Sequence, residues 1–205
     1  MPSLAVIGDS VFSVAVAKAL VSKGCDVPWL LLSQGIQTSL PVQQFRTHDE
    51  LAAIMPGSAD YFLLAFYSKR LPPSMVCAHW GRLWNLHASL LPTYRGVGNP
   101  LGKALSDGLN ATGITVHLVA EQFDAGPVLG QLAMELPVGA SVQDAPALYR
   151  SLIVPLGALL AHACLARIDT LSPLAQEQLR RKPMPGELFL HTRSGIHVRS
   201  WQKPY

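Results

Sequence analysis

The sequence predicts an α/β fold in which helices cover both faces of a doubly wound, mainly parallel β-sheet. Several short runs, such as residues 27–32, are apolar without polar alternation, which is typical of strands buried on both faces. These runs alternate with segments of helical length, and that order indicates parallel strands joined by right-handed crossovers. Charged residues make up only 14% of the 205-residue chain, which suits a large buried sheet. The predicted architecture is Rossmann-like.

Local signals place the elements in order. Ser10 is a suitable N-cap for a helix over residues 11–22, and Gly24 is a suitable stop. The other elements are apolar runs or helical segments bounded by Gly, Pro or polar residues. The sequence predicts strands over 3–8, 27–32, 60–67, 82–87, 112–119 and 127–136, a polar loop over 34–42, and helices over 11–22, 47–55, 71–80, 100–106 and 143–167.

The tail predicts a β-hairpin over residues 187–201 that turns at residues 193–195. An isolated hairpin is marginally stable in water, so we expect its apolar face to be covered by the main domain or by a second copy of the chain in a homodimer. That apolar face would carry Leu188, Leu190, Ile196 and Val198. The opposite face, expected near the entrance of the functional site or at a dimer contact, would carry His191, Arg193, His197 and Arg199. We therefore divide the chain into a main domain, 1–170, and a C-terminal extension, 171–205.

Composition narrows the classes of function. The net charge is only +3, and the one dense basic stretch is residues 180–182, which argues against a dedicated nucleic-acid binder. The three cysteines are far apart and fit neither a zinc site nor a disulfide framework, so we expect no metal. The apolar run over 152–166 is too short to span a membrane, and no signal peptide is apparent. We expect a cytoplasmic protein with no membrane partner.

The most informative stretch is residues 84–92, WNLHASLLP. Asn85 and His87 lie two residues apart in a predicted strand, so both side chains project to the same side. An amide donor beside an imidazole suits a reaction in which a carbonyl oxygen gains negative charge while a proton moves. Asp124, in a turn after a later strand, supplies a carboxylate. Because ligands bind beyond the carboxyl ends of strands in such sheets, we expect these three residues to meet there.

Two ordered motifs resemble those of the N10-formyltetrahydrofolate-dependent formyltransferases. Residues 85–96, NLHASLLPTYRG, resemble the N-x-H…SLLP…G signature, and residues 112–131 resemble the folate loop and its aspartate. The superfamily includes glycinamide ribonucleotide, methionyl-tRNA and sugar N-formyltransferases and the formylation domains of peptide synthetases. The resemblance covers residues 63–131 and implies a formyltransferase fold, N10-formyltetrahydrofolate as the formyl donor, and no metal.

The resemblance also implies roles for individual residues. Asn85 would donate to the formyl oxygen, His87 would act as a charged donor or a proton shuttle, and Asp124 would raise the pKa of that imidazole. His117 is interpreted as structural. The implied donor-binding residues are Lys69, Arg70, Leu71, Pro72, Val119, Ala120, Glu121, Gln122 and Phe123. The candidate acceptor-binding residues are Ser10, Tyr94, Arg95 and Asn99.

The acceptor amine stays open at this point. The stretch after residue 167 is too short for the β-barrel domain of the tRNA enzymes, so we expect an acceptor other than tRNA. A small-molecule amine such as an amino sugar, or an aminoacyl group on a carrier protein, would fit. A formyltetrahydrofolate hydrolase would use the same three residues with water as the acceptor. A non-catalytic folate-binding module is the third alternative, and the presence of all three catalytic residue types argues against it.

Overall fold

A computed structural model describes residues 1–201, and the expected α/β fold is confirmed. The strands are β1 Leu4–Gly8, β2 Leu30–Leu32, β3 Val42–Gln44, β4 Tyr61–Ala65, β5 Leu83–His87, β6 Ala111–Leu118, β7 Val128–Glu135, β8 Glu187–Thr192 and β9 Gly195–Ser200. The helices are α1 Val11–Ser22, α2 His48–Ile54, α3 Pro73–Ala78, α4 Pro100–Ser106, α5 Ala145–Leu148 and α6 Val154–Leu165. A π-helical turn, Tyr149–Ile153, joins α5 to α6.

Within the described residues, nine strands form one sheet in the order β3-β2-β1-β4-β5-β6-β7-β8-β9. The five neighbouring strands β3, β2, β1, β4 and β5 are parallel. From β5 onward, each strand through to β9 is antiparallel to the one before it. The strand β5, which carries Asn85 and His87, therefore has a parallel neighbour, β4, and an antiparallel neighbour, β6. The sequence did not reveal this change of direction, because β6 and β7 are nearly as buried on both faces as the parallel strands.

The core lies on both faces of the sheet. Alternate residues of β1 and β4 point to opposite faces, so Val6 and Leu63 join the larger cluster under α1 and α6, whereas Ile7 and Leu64 join a smaller one. Helix α6 packs closely on β5 at Gly157, where an added Cβ would lie 2.6 Å from a methyl carbon of Leu86. This contact supports the strand that carries the candidate site.

The long C-terminal helix differs from the prediction in one respect. The run Val142–Leu165 is apolar and long enough to cross a membrane by length and composition, and 61% of its most apolar window is buried inside the fold, as in a core helix. It is not one continuous α-helix, since the π-helical turn interrupts it just before Pro155. Proline has no N–H to donate to the preceding turn, which explains why the regular ladder breaks there.

Two strands also differ from the predicted elements. The predicted polar loop over 34–42 ends in the short strand β3, which pairs with β2 at the edge of the sheet. Strand β2 itself begins at Leu30 instead of residue 27. An edge strand of three residues leaves too few apolar positions for a periodic signal, so the sequence pattern does not reveal β3.

The predicted hairpin is present, and it docks on the main sheet. Strand β8 pairs with β7, and its residues Leu188, Phe189 and Leu190 are buried. Strand β9 lies at the edge, where Ile196 and Val198 are 43% and 45% exposed. The main domain therefore covers β8 as expected, whereas within the described residues of one chain no further layer lies over β9, and its covering by a second copy stays a prediction.

Candidate active site

The loop after β5 is held by side chains from two neighbouring strands. Thr115 on β6 donates from its hydroxyl to the Ser89 carbonyl over 2.7 Å and accepts from the Leu91 amide over 3.1 Å. Gln131 on β7 donates from Nε2 to the Leu91 carbonyl over 2.9 Å. All of these groups are buried, so water does not compete for their hydrogen bonds. The end of β5 thus enters the site on a fixed support.

The turn that carries Asp124 is equally constrained. Asp124 has a φ of 51°, in the left-handed region that non-glycine residues seldom adopt. The Gly96 amide donates to Asp124 Oδ2 over 3.0 Å. At Gly126 an added Cβ would lie 1.8 Å from the Leu118 carbonyl oxygen, so only glycine allows this close approach of the turn to β6.

These two supports bring the three expected catalytic residues together. Asn85 donates from Nδ2 to Asp124 Oδ1 over 3.2 Å, and His87 Nδ1 lies 3.4 Å from Asp124 Oδ2. His87 is buried, and its Nε2 has no hydrogen-bond partner. One nitrogen of His87 is thus oriented by a carboxylate, and the other is buried without a hydrogen-bond partner, which leaves it able to exchange a proton.

His117 is a fourth member of this network, which the structural interpretation from sequence missed. Its Nε2 lies 3.0 Å from Asn85 Nδ2 and 3.6 Å from Asp124 Oδ1. Its Nδ1 lies 2.8 Å from the Leu118 carbonyl and must donate to it, so in the neutral ring Nε2 is an acceptor. Asn85 and His117 face each other directly across the antiparallel β5–β6 pair. Only the direction of β6 could have revealed this pairing.

Burial and charge set the protonation states. Burial lowers the pKa of His87 below its ordinary value; the Asp124 carboxylate opposes this shift and His117 adds to it. The Asp124 carboxylate thus acts on the pKa of His87 in the expected upward direction, but desolvation outweighs it and the net shift is downward. Burial alone would raise the pKa of Asp124, but the neighbouring His117 and His87 rings and the Gly96 amide together lower it. The site pairs an ionised carboxylate with a neutral imidazole at neutral pH.

A cavity of about 350 Å³ opens in front of this network. Of the nine expected donor-binding residues, seven line it: Lys69, Arg70, Leu71, Val119, Ala120, Glu121 and Phe123. Pro72 and Gln122 do not. The Arg70 guanidinium donates to the Glu121 carbonyl and lies 5.7 Å from the centre of the Phe123 ring, so these two side chains meet beside the cavity. Apolar walls with a few polar groups are typical of small-molecule sites.

The four expected acceptor-binding residues are not among those that line the cavity, and each has another partner. Ser10 caps α1 by accepting from the Phe12 amide over 3.0 Å. Tyr94 donates to Asp107 over 2.7 Å, and Asn99 caps α4 by accepting from the Gly102 amide over 3.0 Å. Arg95 donates to Gln176 Oε1. The hairpin residues His191, Arg193, His197 and Arg199 do not line the cavity either.

An aromatic wall that the sequence did not reveal lines the cavity instead. Phe66, with a φ of 54°, follows β4, and Tyr149 lies on the π-helical turn. Their ring centres are 5.5 Å apart, and burial raises the pKa of Tyr149 to about 12, so its hydroxyl stays protonated and donates to Asn99. Strained backbone and π-helical turns frequently occur at functional sites.

Comparison with known proteins gives matches over most of this chain. The profile of the family described as "Formyl transferase" matches residues 36–150. A methionyl-tRNA formyltransferase of Nitratidesulfovibrio vulgaris (strain DP4) is 34% identical over 153 residues, which are 74% of this chain and 44% of that protein. The enzyme of the same name from Synechococcus sp. (strain JA-2-3B'a(2-13)) is 32% identical over 186 residues, 85% of this chain and 52% of that protein. The chain thus spans about half the length of these curated relatives.

Solved structures match the fold. The phosphoribosylglycinamide formyltransferase of Anaplasma phagocytophilum superposes with a TM-score of 0.70 at 19% identity, covering 88% of this chain and 96% of that one. A formyltetrahydrofolate deformylase of Pseudomonas syringae pv. tomato str. DC3000 gives the same TM-score and identity, covering 85% of this chain and 63% of that one. At this identity, the likeness concerns the fold alone.

Proposed function

Since the chain belongs to the formyl transferase family, we propose that it transfers the formyl group of N10-formyltetrahydrofolate to the amine of an aminoacyl group, with methionyl-tRNA as its acceptor. The observation that carries the proposal is the convergence of Asn85, His87 and Asp124 at the cavity. The expectation that tRNA is not the acceptor is wrong, because the curated relatives are methionyl-tRNA formyltransferases. That expectation rested on the length of the C-terminal stretch, whereas the relatives match this chain over its catalytic core.

His87 is the proton carrier in this proposal. Its unpartnered Nε2 accepts a proton from the attacking amine as the new C–N bond forms at the formyl carbon. The Asp124 carboxylate, 3.4 Å from Nδ1, stabilises the imidazolium that results. The same proton then passes to N10 of the folate as the C–N10 bond breaks, so the imidazole returns to its neutral state. The lowered pKa of His87 keeps it ready to accept at neutral pH.

Asn85 has a more demanding role. Both N–H groups of its amide are engaged, one by His117 over 3.0 Å and one by Asp124 over 3.2 Å. Its Oδ1 is free to accept from the incoming amine. To stabilise the oxyanion, Asn85 exchanges the longer bond, to Asp124, for one to the formyl oxygen. Charge development on that oxygen strengthens the new bond only in the transition state.

The donor fits the wall formed by Leu71, Val119 and Phe123. A flat ring with donors and acceptors suits an apolar slot whose edges are main-chain groups, and Val119, Ala120, Glu121 and Phe123 line the cavity on this side. Arg70, held over Phe123, limits the slot on one side.

Basic side chains near the site support an RNA-bound acceptor. Lys69 and Arg70 line the cavity. Lys182 donates from Nζ to the Thr93 hydroxyl over 2.6 Å, which places a cation beside the loop that follows β5. Phosphate groups of an acceptor strand would be attracted by such cations, and the attraction would weaken as salt concentration rises.

The test is release of tetrahydrofolate from N10-formyltetrahydrofolate, followed by absorbance. We expect turnover with methionyl-tRNA and none with uncharged tRNA, which lacks the α-amino group of methionine. An amino sugar nucleotide and an aminoacyl carrier protein serve as competing acceptors, and turnover with either one alone would reassign the acceptor. Turnover without any amine would identify a hydrolase, and donor binding without turnover would identify a binding module.

A further inference from the structure

Gln176 joins the C-terminal segment to the turn that carries Asp124. It is only 3% exposed and lies in a short 3-10 helix, Gln176–Gln178, outside residues 36–150 matched by the family profile. Just before it, Leu174 forms a β-bridge with Val128 through two backbone hydrogen bonds of 2.8 and 2.9 Å. The segment is thereby fixed against the start of β7, directly behind the turn.

Every hydrogen-bonding group of the Gln176 side chain is used on this junction. Nε2 donates to the Asp124 carbonyl over 2.6 Å and to the Gly126 carbonyl over 3.1 Å. Oε1 accepts from the Arg95 guanidinium, from Nε over 3.0 Å and also from Nη2. Arg95 adjoins Gly96, whose amide donates to Asp124 Oδ2. One side chain therefore holds the backbone of Asp124 and, through Arg95, the loop that contacts its carboxylate.

We propose that Gln176 is a positioning residue that fixes the Asp124 carboxylate against Asn85 and His87. The inference rests on the proposed formyl transfer, because it assigns Gln176 a part in that site. Asp124 has a left-handed φ, and such a conformation persists only where the surrounding structure holds it. Two of the carbonyls that define this turn have Gln176 as their partner. Without these bonds, the turn can relax and move the carboxylate away from His87 Nδ1.

A double-mutant cycle tests this role. In Gln176→Met the side chain keeps a similar length and loses all four hydrogen bonds, and we expect kcat to fall about 10- to 100-fold, with the donor KM changed less than about 3-fold. In the Asp124→Asn background the same change should lower kcat by less than about 3-fold, since a residue that acts through Asp124 has nothing left to position. Equal losses in both backgrounds, or no loss in either, would overturn the proposal.

Two further variants keep the result unambiguous. Gln176→Glu retains the acceptor for Arg95 but loses both N–H donors, so it should lower kcat as Gln176→Met does, even if the methionine variant fails to fold. Gln178→Met changes an exposed glutamine of the same turn, and kcat should be unchanged.

A readout that needs no turnover separates this inference from the proposed function. The Asp124 carboxyl carbon, assigned in NMR spectra by its loss in Asp124→Asn, should titrate at higher pH in both Gln176 variants, because the lowered pKa depends on its contacts with His117, His87 and the Gly96 amide. If the wild-type protein is inactive but the variants show the shift, formyl transfer is rejected and the positioning role is kept. If the wild-type protein is active but the variants show no shift, formyl transfer is kept and the positioning role is rejected.

Discussion

Asn85 donates to Asp124 Oδ1 over 3.2 Å, while the other carboxylate oxygen accepts from the Gly96 amide over 3.0 Å. Each oxygen of Asp124 thus has its own set of neighbours: Oδ1 lies at Asn85 and His117, and Oδ2 lies at the loop after β5 and at His87 Nδ1. A carboxylate used on both oxygens is fixed in orientation as well as position. Asp124 is therefore the residue on which the geometry of the others depends.

Replacing Asp124 by Asn should lower turnover at least about 100-fold, because the imidazolium of His87 loses its stabilising charge. Asn85→Ala and His87→Ala should lower turnover by at least a similar factor. All three variants should keep the circular dichroism of the folded protein. The matched control is Asp107→Asn, which removes an exposed carboxylate bonded to Tyr94 and should leave turnover unchanged. Wild-type rates in Asp124→Asn would reject the assignment.

The pH dependence follows from the lowered pKa of His87. Its Nε2 must be unprotonated to accept a proton, so kcat/KM should be flat at neutral pH and fall only as pH drops through a value below about 6.5, the ordinary histidine pKa. Asp124→Asn removes a charge that raises this pKa, so the imidazole should titrate at still lower pH. NMR titration measures the pKa of His87 in the wild type and in Asp124→Asn. His79, whose pKa is lowered by burial and by Arg82, is an internal control, and its pKa should be the same in both proteins.

Gly126→Ala should destabilise the fold, because the new Cβ would lie 1.8 Å from the Leu118 carbonyl oxygen. We expect the free energy of unfolding to fall by about 1–3 kcal/mol, the usual range for overpacking. Turnover should fall as well, since the turn that carries Asp124 must move. The comparison variant is Gly35→Ala, where the nearest atom lies at an ordinary 3.7 Å. Equal stability of the two variants, measured by urea denaturation, would show that the turn tolerates a side chain.

Phe189→Ala should cost about 3–5 kcal/mol of unfolding free energy, the usual cost of removing a buried phenylalanine. Phe189 is fully buried in β8, whereas Ile196 on β9 is 43% exposed. Ile196→Ala should therefore cost much less. Thermal denaturation of both variants measures the difference. Similar small losses would mean that the hairpin contributes little to the main core.

Phe123→Ala should weaken donor binding about 3- to 10-fold, because the ring lines the cavity and supports Arg70. The effect should appear in the dissociation constant for a folate analogue, measured by fluorescence titration, with kcat changed less. Trp80→Ala, which also removes an exposed aromatic ring but outside the cavity lining, is the control. Unchanged affinity in Phe123→Ala would remove that wall from the donor site.

The sequence predicted the part of the site that depends on local order. Asn85 and His87 share a side because strand periodicity is two, and the carboxyl edge of the sheet is a general ligand position. The sequence did not predict His117, because its partner is defined by the antiparallel direction of β6 and not by spacing along the chain. Tyr149 was missed because it enters the cavity wall from a π-helical turn, which leaves no periodic signal.

The residues expected to bind the acceptor were predicted from the sequence but do not line the cavity. Ser10 and Asn99 are residue types that favour helix N-caps, and in the structure both do cap helices. A polar side chain near a predicted site thus has a local use that competes with ligand binding. Proximity along the chain cannot decide between the two, since only the backbone direction shows which way the side chain points.

Strand β9 ends the sheet with one hydrogen-bonding edge that no other strand of the described residues covers. Exposed Ile196 and Val198 beside such an edge could template the addition of strands from neighbouring molecules, and concentrated protein would then aggregate. Arg199, which alternates with them, would act as a gatekeeper, since like charges brought into register repel each other. Solubility should accordingly decrease on neutralising Arg199 and increase on replacing Val198 with lysine.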